Sequence, residues 1–299
     1  MNLSHNNNFA IIAILIKSKI LGGDASLSFI SKMSYGSRSA TDFGLIGEYT
    51  GTAGMQLSPL TPKIDGSAPL SRGEFYSIDE TVSAENDSFG IFVVGYEKKI
   101  NKLNLKVWDF YVDDIANNLF VEADYKIPLG KGKAIKLSAQ VWNQDVSNDA
   151  LDATYGGTMI GAEAVLKWGK IIGKVAYSTK DEGGLLNAWG SNPGYTSSIF
   201  SRNEYRSNVD AYKATLVYKP LKNLKIMLSH AEYGQSDMYN KKFKTAPMSD
   251  ASETDMAIVY KPWKQVSFKL FNANRTSEYS TPSKDRTQNH TRLIMNYAF

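Results

Sequence analysis

No cysteine occurs in the 299 residues, so neither a disulfide framework nor a thiolate metal site is available. Histidine is almost as scarce, with only His5, His230 and His290. No clustered ligand set accompanies them, and neither a metal nor a cofactor is expected. The longest apolar run, FAIIAILI (Phe9 to Ile16), is far short of the roughly 20 residues a spanning helix needs, which excludes a helical membrane protein. An excess of one charge is also missing. A net charge of +4 without a basic block gives no basis for nucleic-acid binding. The glycine pattern GKGK at 130–133 is no phosphate loop, because it joins two strands and opens no helix.

What the chain does have is two-residue alternation with aromatic ends. In the closing HTRLIMNYAF, Thr291, Leu293, Met295, Tyr297 and Phe299 fall on one face of a strand and His290, Arg292, Ile294, Asn296 and Ala298 on the other. A soluble domain rarely leaves such an aromatic-tipped face uncovered. A strand of a transmembrane β-barrel has lipid there. A mean hydropathy of −0.31 fits a barrel, since half of its strand residues face water.

A short basic turn preceded by an aromatic recurs through the chain. It is YKPWKQV at Tyr260, YKPLKNL at Tyr218, WGKII at Trp168, YKIPLGKGK at Tyr125 and YEKKINKL at Tyr96. Each joins two alternating stretches of about ten residues, the length a tilted strand needs to cross a bilayer core. Between these pairs lie longer polar segments, 51–87, 145–156, 180–207, 234–252 and 276–288, with only 112–117 short. Short and long connections therefore alternate, as periplasmic turns and extracellular loops do in an outer-membrane barrel. An antiparallel sandwich does not explain why every second connection is short. The recurring aromatic marks one membrane interface, so Tyr96, Tyr125, Trp168, Tyr218, Tyr260 and Tyr297 are expected to form an outward girdle. The spacing predicts an all-β, antiparallel transmembrane barrel of about 14 strands: 9–16, 25–35, 40–50, 88–98, 103–112, 117–127, 134–144, 158–168, 171–179, 209–219, 223–233, 254–262, 264–275 and 289–299. Residues 1–299 form a single barrel domain, with 88–299 the part that carries the phased turns and 1–87 its N-terminal part.

Alternation also assigns the faces. On 209–219, Tyr212, Ala214, Leu216 and Tyr218 point to lipid while Lys213, Thr215, Val217 and Lys219 point inward. A lysine at the lipid midplane costs roughly 2–4 kcal/mol, so mid-strand charges belong inside. The expected inner set is Lys106, Lys136, Lys174, Lys213, Lys225, Lys269, Arg275 and Arg292, with Glu48, Glu122, Asp124, Glu163 and Asp255. It implies a water-filled conduit rather than a dry core. Basic residues dominate from 209 onward, with Asp255 the one acidic neighbour, which favours anions. The alternative is that these lysines simply pair with the lumenal acids.

Two stretches carry a resemblance: LNLKVWDFYVDDIANNLFVEADYKI at 103–127 and NAWGSNPGYTSSIFSRNEYRSNVDAYKATLVYK at 187–219. Together with SETDMAIVY and the terminal RLIMNYAF, they resemble the OprD-like (Opr) family of outer-membrane porins in its epsilonproteobacterial form. The likeness covers roughly 88–299. It implies an 18-stranded monomeric or trimeric channel in outer-membrane lipid for small anionic or zwitterionic solutes, such as carboxylates or amino acids. It also implies a basic ladder in the lumen and loops that fold inward. Lys136, Lys174, Lys213, Lys225, Lys269, Arg275 and Arg292 are then the pore-lining candidates. The loop with Trp189, Asn192, Pro193, Tyr195, Arg202 and Arg206 shapes the mouth. The family's ladder is Arg-rich, whereas this wall is mostly Lys. MNLSHNNN carries no Lys or Arg and FAIIAILI leads to no small-residue cleavage site, so Phe9 to Ile16 is read as a strand rather than a signal. The chain is accordingly read as a family member lacking its N-terminal strands.

Two other functions compete with a channel. A barrel lipase or protease needs a nucleophile–His pair, and His230 and His290 have Ser229, Thr287, Thr291 and Asp285 close in sequence. No local motif joins them, and the chain is read as a non-enzyme. The long Ser- and Asn-rich loops would also suit an adhesin or structural barrel.

Overall fold

The computed structural model describes residues 9–35, 75–81, 86–152, 155–185, 194–199, 201, 203–235, 248–279, 282 and 285–298. Fourteen strands form one antiparallel sheet. They are β1 (Phe9–Ile20), β2 (Gly23–Tyr35), β3 (Phe75–Ser77), β4 (Ile91–Ile100), β5 (Leu103–Val112), β6 (Ala116–Gly130), β7 (Lys133–Val146), β8 (Gly157–Trp168), β9 (Ile171–Lys180), β10 (Val209–Leu221), β11 (Leu224–Tyr233), β12 (Met248–Tyr260), β13 (Val266–Tyr279) and β14 (Arg286–Tyr297). Helical turns at Ile78–Thr81 (α1) and Asp149–Asp152 (α2) and a 3-10 turn at Asn203–Tyr205 sit in connections. Every strand pairs with its neighbour in sequence, except that β3 lies beside β2 only. Among the described residues no ladder joins β14 to β1.

In such a meander, alternate connections must lie at the same end. The short turns 101–102, 131–132, 169–170, 222–223 and 261–265 therefore share one rim, as the sequence predicts, and the turn at 21–22 joins them there. Leu21 and Gly22 both have positive φ, the geometry that matches the right-handed twist of the flanking strands. The strands expected at 9–16 and 25–35 are present and longer, while 40–50, with Glu48, lies outside the described residues. The region read as a polar loop, 51–87, contains β3 and α1. β12, β13 and β14 also run further toward the long-loop end than expected. Ladder hydrogen bonds continue there through polar residues, which an apolar count cannot see.

Five aromatics of the expected girdle, Tyr125, Trp168, Tyr218, Tyr260 and Tyr297, are exposed on the outer face. Tyr96 shares that face. Its ring covers Gly23, where a Cβ would come within 2.6 Å, and its hydroxyl reaches the Leu21 carbonyl at 3.5 Å.

The interior corrects one expectation, because part of it is dry. Inward residues of β2 and β4 to β8 pack beneath α1, α2 and the long loops into an apolar core that includes Ile91, Trp108, Phe120, Trp142, Met159 and Leu185. Register sets Gly95, Trp108, Phe120, Trp142 and Met159 side by side across β4 to β8. Phe120 and Trp142 meet edge to face at 6.2 Å, a contact worth about 0.5–1.5 kcal/mol beyond burial. Trp108 lies against Gly95, where a Cβ would approach its ring to 2.4 Å. The same alternation that places lysines inside also places these aromatics inside.

Candidate functional site

Register converts inward side chains into rows. One row runs Asp124, Ser138, Glu163, Ala176, Lys213, Ala231, Glu253 and Arg275 across β6 to β13. Its two halves differ in charge.

On the β5–β9 wall the mid-strand cations are matched, while Lys126 and Lys167 share their inward parity nearer the short turns. Lys106 meets Glu122 at 2.5 Å, and Lys136 meets Asp124 at 3.0 Å and Glu163 at 3.9 Å. Lys174 reaches Glu163 at 3.4 Å, and Ser138 also donates to Asp124 at 2.7 Å. Lys136 and Lys174, read as pore-lining cations, thus belong to a neutral chain of pairs, and pairing rather than a free positive field describes the middle of this wall.

The β10–β13 wall is different. Lys219, Lys225 and Lys269 are inward and follow one another near the short-turn rim, since Lys225 and Lys269 both neighbour Val259. Lys269 stands 5.0 Å from the Phe271 ring. Higher up, Lys213 donates to the Ser197 carbonyl at 2.5 Å, and Arg275 is buried beside Glu253. Glu253 is an inward carboxylate absent from the expected set, so Asp255 is not the sole acid there. Its signal lay in SETDMAIVY, where Glu253 and Asp255 share the parity of Ala257. Arg292 faces inward on β14 but is exposed, donating to His290 Nε2 at 2.5 Å.

The β9–β10 connection crosses the interior. Tyr195 donates its hydroxyl to Glu122 on β6 at 3.1 Å. The Ile199 N–H donates to Asp255 at 3.2 Å and the Ser201 N–H to Glu253 at 2.6 Å, both on β12. Tyr233 on β11 donates to the Thr196 and Ser201 carbonyls at 2.8 and 3.1 Å. Thr196 and Ser178 hydroxyls also bond, and Asn203 donates to Ser178 at 3.0 Å. The described residues of one short segment, 194–199 and 201, therefore reach from β6 to β12 and narrow the lumen.

Of the loop residues singled out in the sequence, Tyr195 is in this plug and Arg206 lies beyond it in the same connection. Trp189, Asn192, Pro193 and Arg202 lie outside the described residues. Arg206 is fully buried with its guanidinium 4.5 Å from the Tyr233 ring. Burial, then the nearby Arg275 charge, lowers its pKa to about 10, so it stays cationic near neutrality. Burial, helped by the Glu122 and Asp124 carboxylates, raises the Tyr195 phenol, which keeps its proton for the bond to Glu122.

The hydrolase candidates separate. Ser229 is buried on the inner face whereas His230 is exposed on the outer one. His290 lies against Phe271 inside, at 6.4 Å. Outside, His230 bonds Thr254 Oγ1 at 2.7 Å and Glu232 at 2.5 Å. Thr254 sits mid-ladder between His230 and Asn274, where backbone N–H groups serve neighbouring strands and leave no donor pair for an oxyanion.

No protein-family model matches the sequence, and no curated protein does. Solved structures do match. OpdL of Pseudomonas aeruginosa aligns with a TM-score of 0.69 at 15% identity, over 97% of this chain and 71% of that one. The outer membrane protein OpdK of the same organism gives 0.69 at 12% identity, over 97% and 70%. OprD gives 0.65 at 14%, over 96% and 69%. At these identities the likeness shows a shared fold, that of the OprD-type β-barrels.

Proposed function

We propose that this chain is an outer-membrane porin of a Gram-negative bacterium, a passive diffusion channel for small hydrophilic solutes that favours anionic or zwitterionic ones such as carboxylates or amino acids. The motifs quoted above make the epsilonproteobacterial form of the OprD-like family the reading for its finer type. Supporting the membrane placement are the outward apolar strands with aromatics at the turn rim, and a fold shared with proteins described as outer membrane proteins. No helix among the described residues is long and apolar enough to cross a membrane, so strands would do the crossing.

The observation that carries the solute preference is the asymmetry of the lumen. The charges beside the plug are paired, whereas the lysines at 219, 225 and 269 are grouped nearer the short-turn rim, beyond the segment that narrows the passage. An anion that passes the plug toward the short-turn rim meets these lysines, with Lys126 and Lys167 at inward positions on β6 and β8, and no carboxylate is matched to them in the described ladder rows. Planar-bilayer recording under a salt gradient tests the reading. An anion-selective reversal potential in dilute electrolyte is expected. Absence of conductance, or selectivity for cations, overturns it and would favour the adhesin or structural alternative in the first case.

A further inference from the structure

One inward lysine does not face the passage. Lys180 closes β9, and register sets it beside Met159 in the row of Trp108, Phe120 and Trp142, where the interior is dry. Its side chain is completely buried. An ammonium has three N–H donors and no acceptor, and burying one is costly unless each donor finds an oxygen. Lys180 Nζ donates to the Asp181 carboxylate at 2.7 Å and to the Gly156 and Glu182 carbonyls at 2.9 Å each, with the Asp181 carbonyl at 3.3 Å. These are hydrogen-bond lengths. A calcium ion would draw its oxygens to about 2.3–2.6 Å, so this oxygen cage has the size of an ammonium.

The oxygens belong to two different connections. Gly156 ends the one between β7 and β8, whereas Asp181 and Glu182 begin the one between β9 and β10. A Cβ at Gly157 would come within 2.7 Å of the ammonium, so glycine there lets the two connections meet around it. The Asp181 carboxylate also accepts the Thr158 N–H at 2.6 Å, which adds β8 to the same knot.

This knot lies at the neck of the connection that carries the plug. The outgoing limb, 181–185, runs beside the returning limb, 203–208. Asn208 N–H donates to the Asp181 carbonyl at 2.8 Å, Gly183 N–H to the Ser207 hydroxyl at 3.0 Å and Leu185 N–H to the Glu204 carbonyl at 2.9 Å. The Glu204 carboxylate in turn accepts the Ser197 hydroxyl, inside the plug, at 2.5 Å. Lys180 stands at the foot of this ladder.

We propose that Lys180 is a positioning residue: its ammonium, a built-in cation, ties the neck of the β9–β10 connection to the end of the β7–β8 connection and so holds the plug in place. The inference deepens the channel reading above and rests on it. Space-filling alone would ask only for an apolar side chain in this aromatic row. The charge is what gathers the oxygens of two connections at one point, because each of them loses a charge-assisted bond without it.

The absence of cysteine makes the test clean, since Lys180→Cys then carries the only thiol. Alkylating it in urea with 2-bromoethylamine rebuilds a side chain of lysine's length that ends in an ammonium. Iodoacetamide instead builds a neutral amide of the same length. Both forms and the unchanged chain are refolded into vesicles, and amide exchange of the peptide holding Ile199 and Ser201 is followed by mass spectrometry. With the neutral amide, exchange there is expected to be about tenfold or more faster, the least that loss of a charge-assisted bond brings. The ammonium form is expected to return to the rate of the unchanged chain. Open-channel noise in bilayers should follow the same order. Equal exchange in the two alkylated forms overturns the proposal. Should the amide form fail to refold, Asp181→Asn supplies the comparison, because it removes only the charge facing the ammonium. Plug exchange as slow as in the unchanged chain then overturns the proposal. Exchange that depends on the ammonium while no form conducts, the unchanged chain included, upholds the neck and defeats the porin reading.

Discussion

Reversing Lys225 and Lys269 together, as K225E/K269E, tests the basic wall most directly. Both are inward and separated by one strand, with Val259 between them in register, so their backbones lie about 10 Å apart. An anion midway is about 5 Å from each charge. In a water-like dielectric each contributes about 0.8 kcal/mol before screening, and a Debye length of about 10 Å at 0.1 M reduces the pair to about 1 kcal/mol. That enriches anions about fivefold locally and depletes cations by a like factor. At 1 M the Debye length is about 3 Å, and the pair falls to about 0.3 kcal/mol, less than twofold. Selectivity should therefore be clear in dilute salt and nearly absent at 1 M. The double variant changes the sign at both positions, a swing of about 2 kcal/mol at 0.1 M, and its reversal potential should move toward cations. The assay is a bilayer recording across a KCl gradient at both strengths. An unchanged reversal potential in the double variant would refute the reasoning, because selectivity would then arise elsewhere in the passage.

Loosening the plug should widen the passage. E253Q removes the carboxylate charge behind the Ser201 N–H bond, weakening a charge-assisted contact of about 1.5–3 kcal/mol, and larger, noisier single-channel currents are expected. In contrast, G95V should act on stability alone. Its side chain would enter the Trp108 ring, at an overpacking cost of about 1–3 kcal/mol, so the heat-modifiable gel band should unfold at lower temperature with conductance unchanged. Finally, L216K and T215K place one charge on opposite faces of β10. The outward change should cost about 2–4 kcal/mol and depress refolding yield into vesicles, whereas the inward one should not, and equal yields would mean the faces are misassigned.

The parts of the fold legible in the sequence are those that depend on local period. Lys213 could be set inside and Tyr212 outside because alternation decides a face within a few residues, and each turn announces itself by an aromatic and lysines. Pairing is another matter. Lys136 is matched only because register brings Asp124 from β6 and Glu163 from β8 to its two sides, and no local pattern states a register. The inward path of residues 194–199 and 201 likewise rests on Glu122 and Asp255, which lie 73 and 56 positions from Tyr195 and Ile199. Glu253 is the instructive miss, since its parity with Asp255 was visible and only the strand boundary, drawn at 254, hid it.

The division of the interior explains how one wall can be both rigid and permissive. Inward aromatics on β4 to β8 fill space beneath the loops, and their packing holds the wall that carries Glu122, one anchor of the plug. Glu253 and Asp255 on β12 hold the other end. On the far side Val209, Ala211, Ala231, Tyr233, Ala251 and Tyr279 form a second buried cluster toward the long-loop end, and Lys225, exposed, and Lys269, half-buried, lie nearer the short-turn rim. The charges nearest the plug are spent on holding it: Glu122 receives both Lys106 and Tyr195, and Lys213 holds the Ser197 carbonyl. Selectivity is therefore left to cations set away from these anchors, toward the short-turn rim. This is why charge reversal belongs at 225 and 269 rather than at 213, where it would move the plug and the field together.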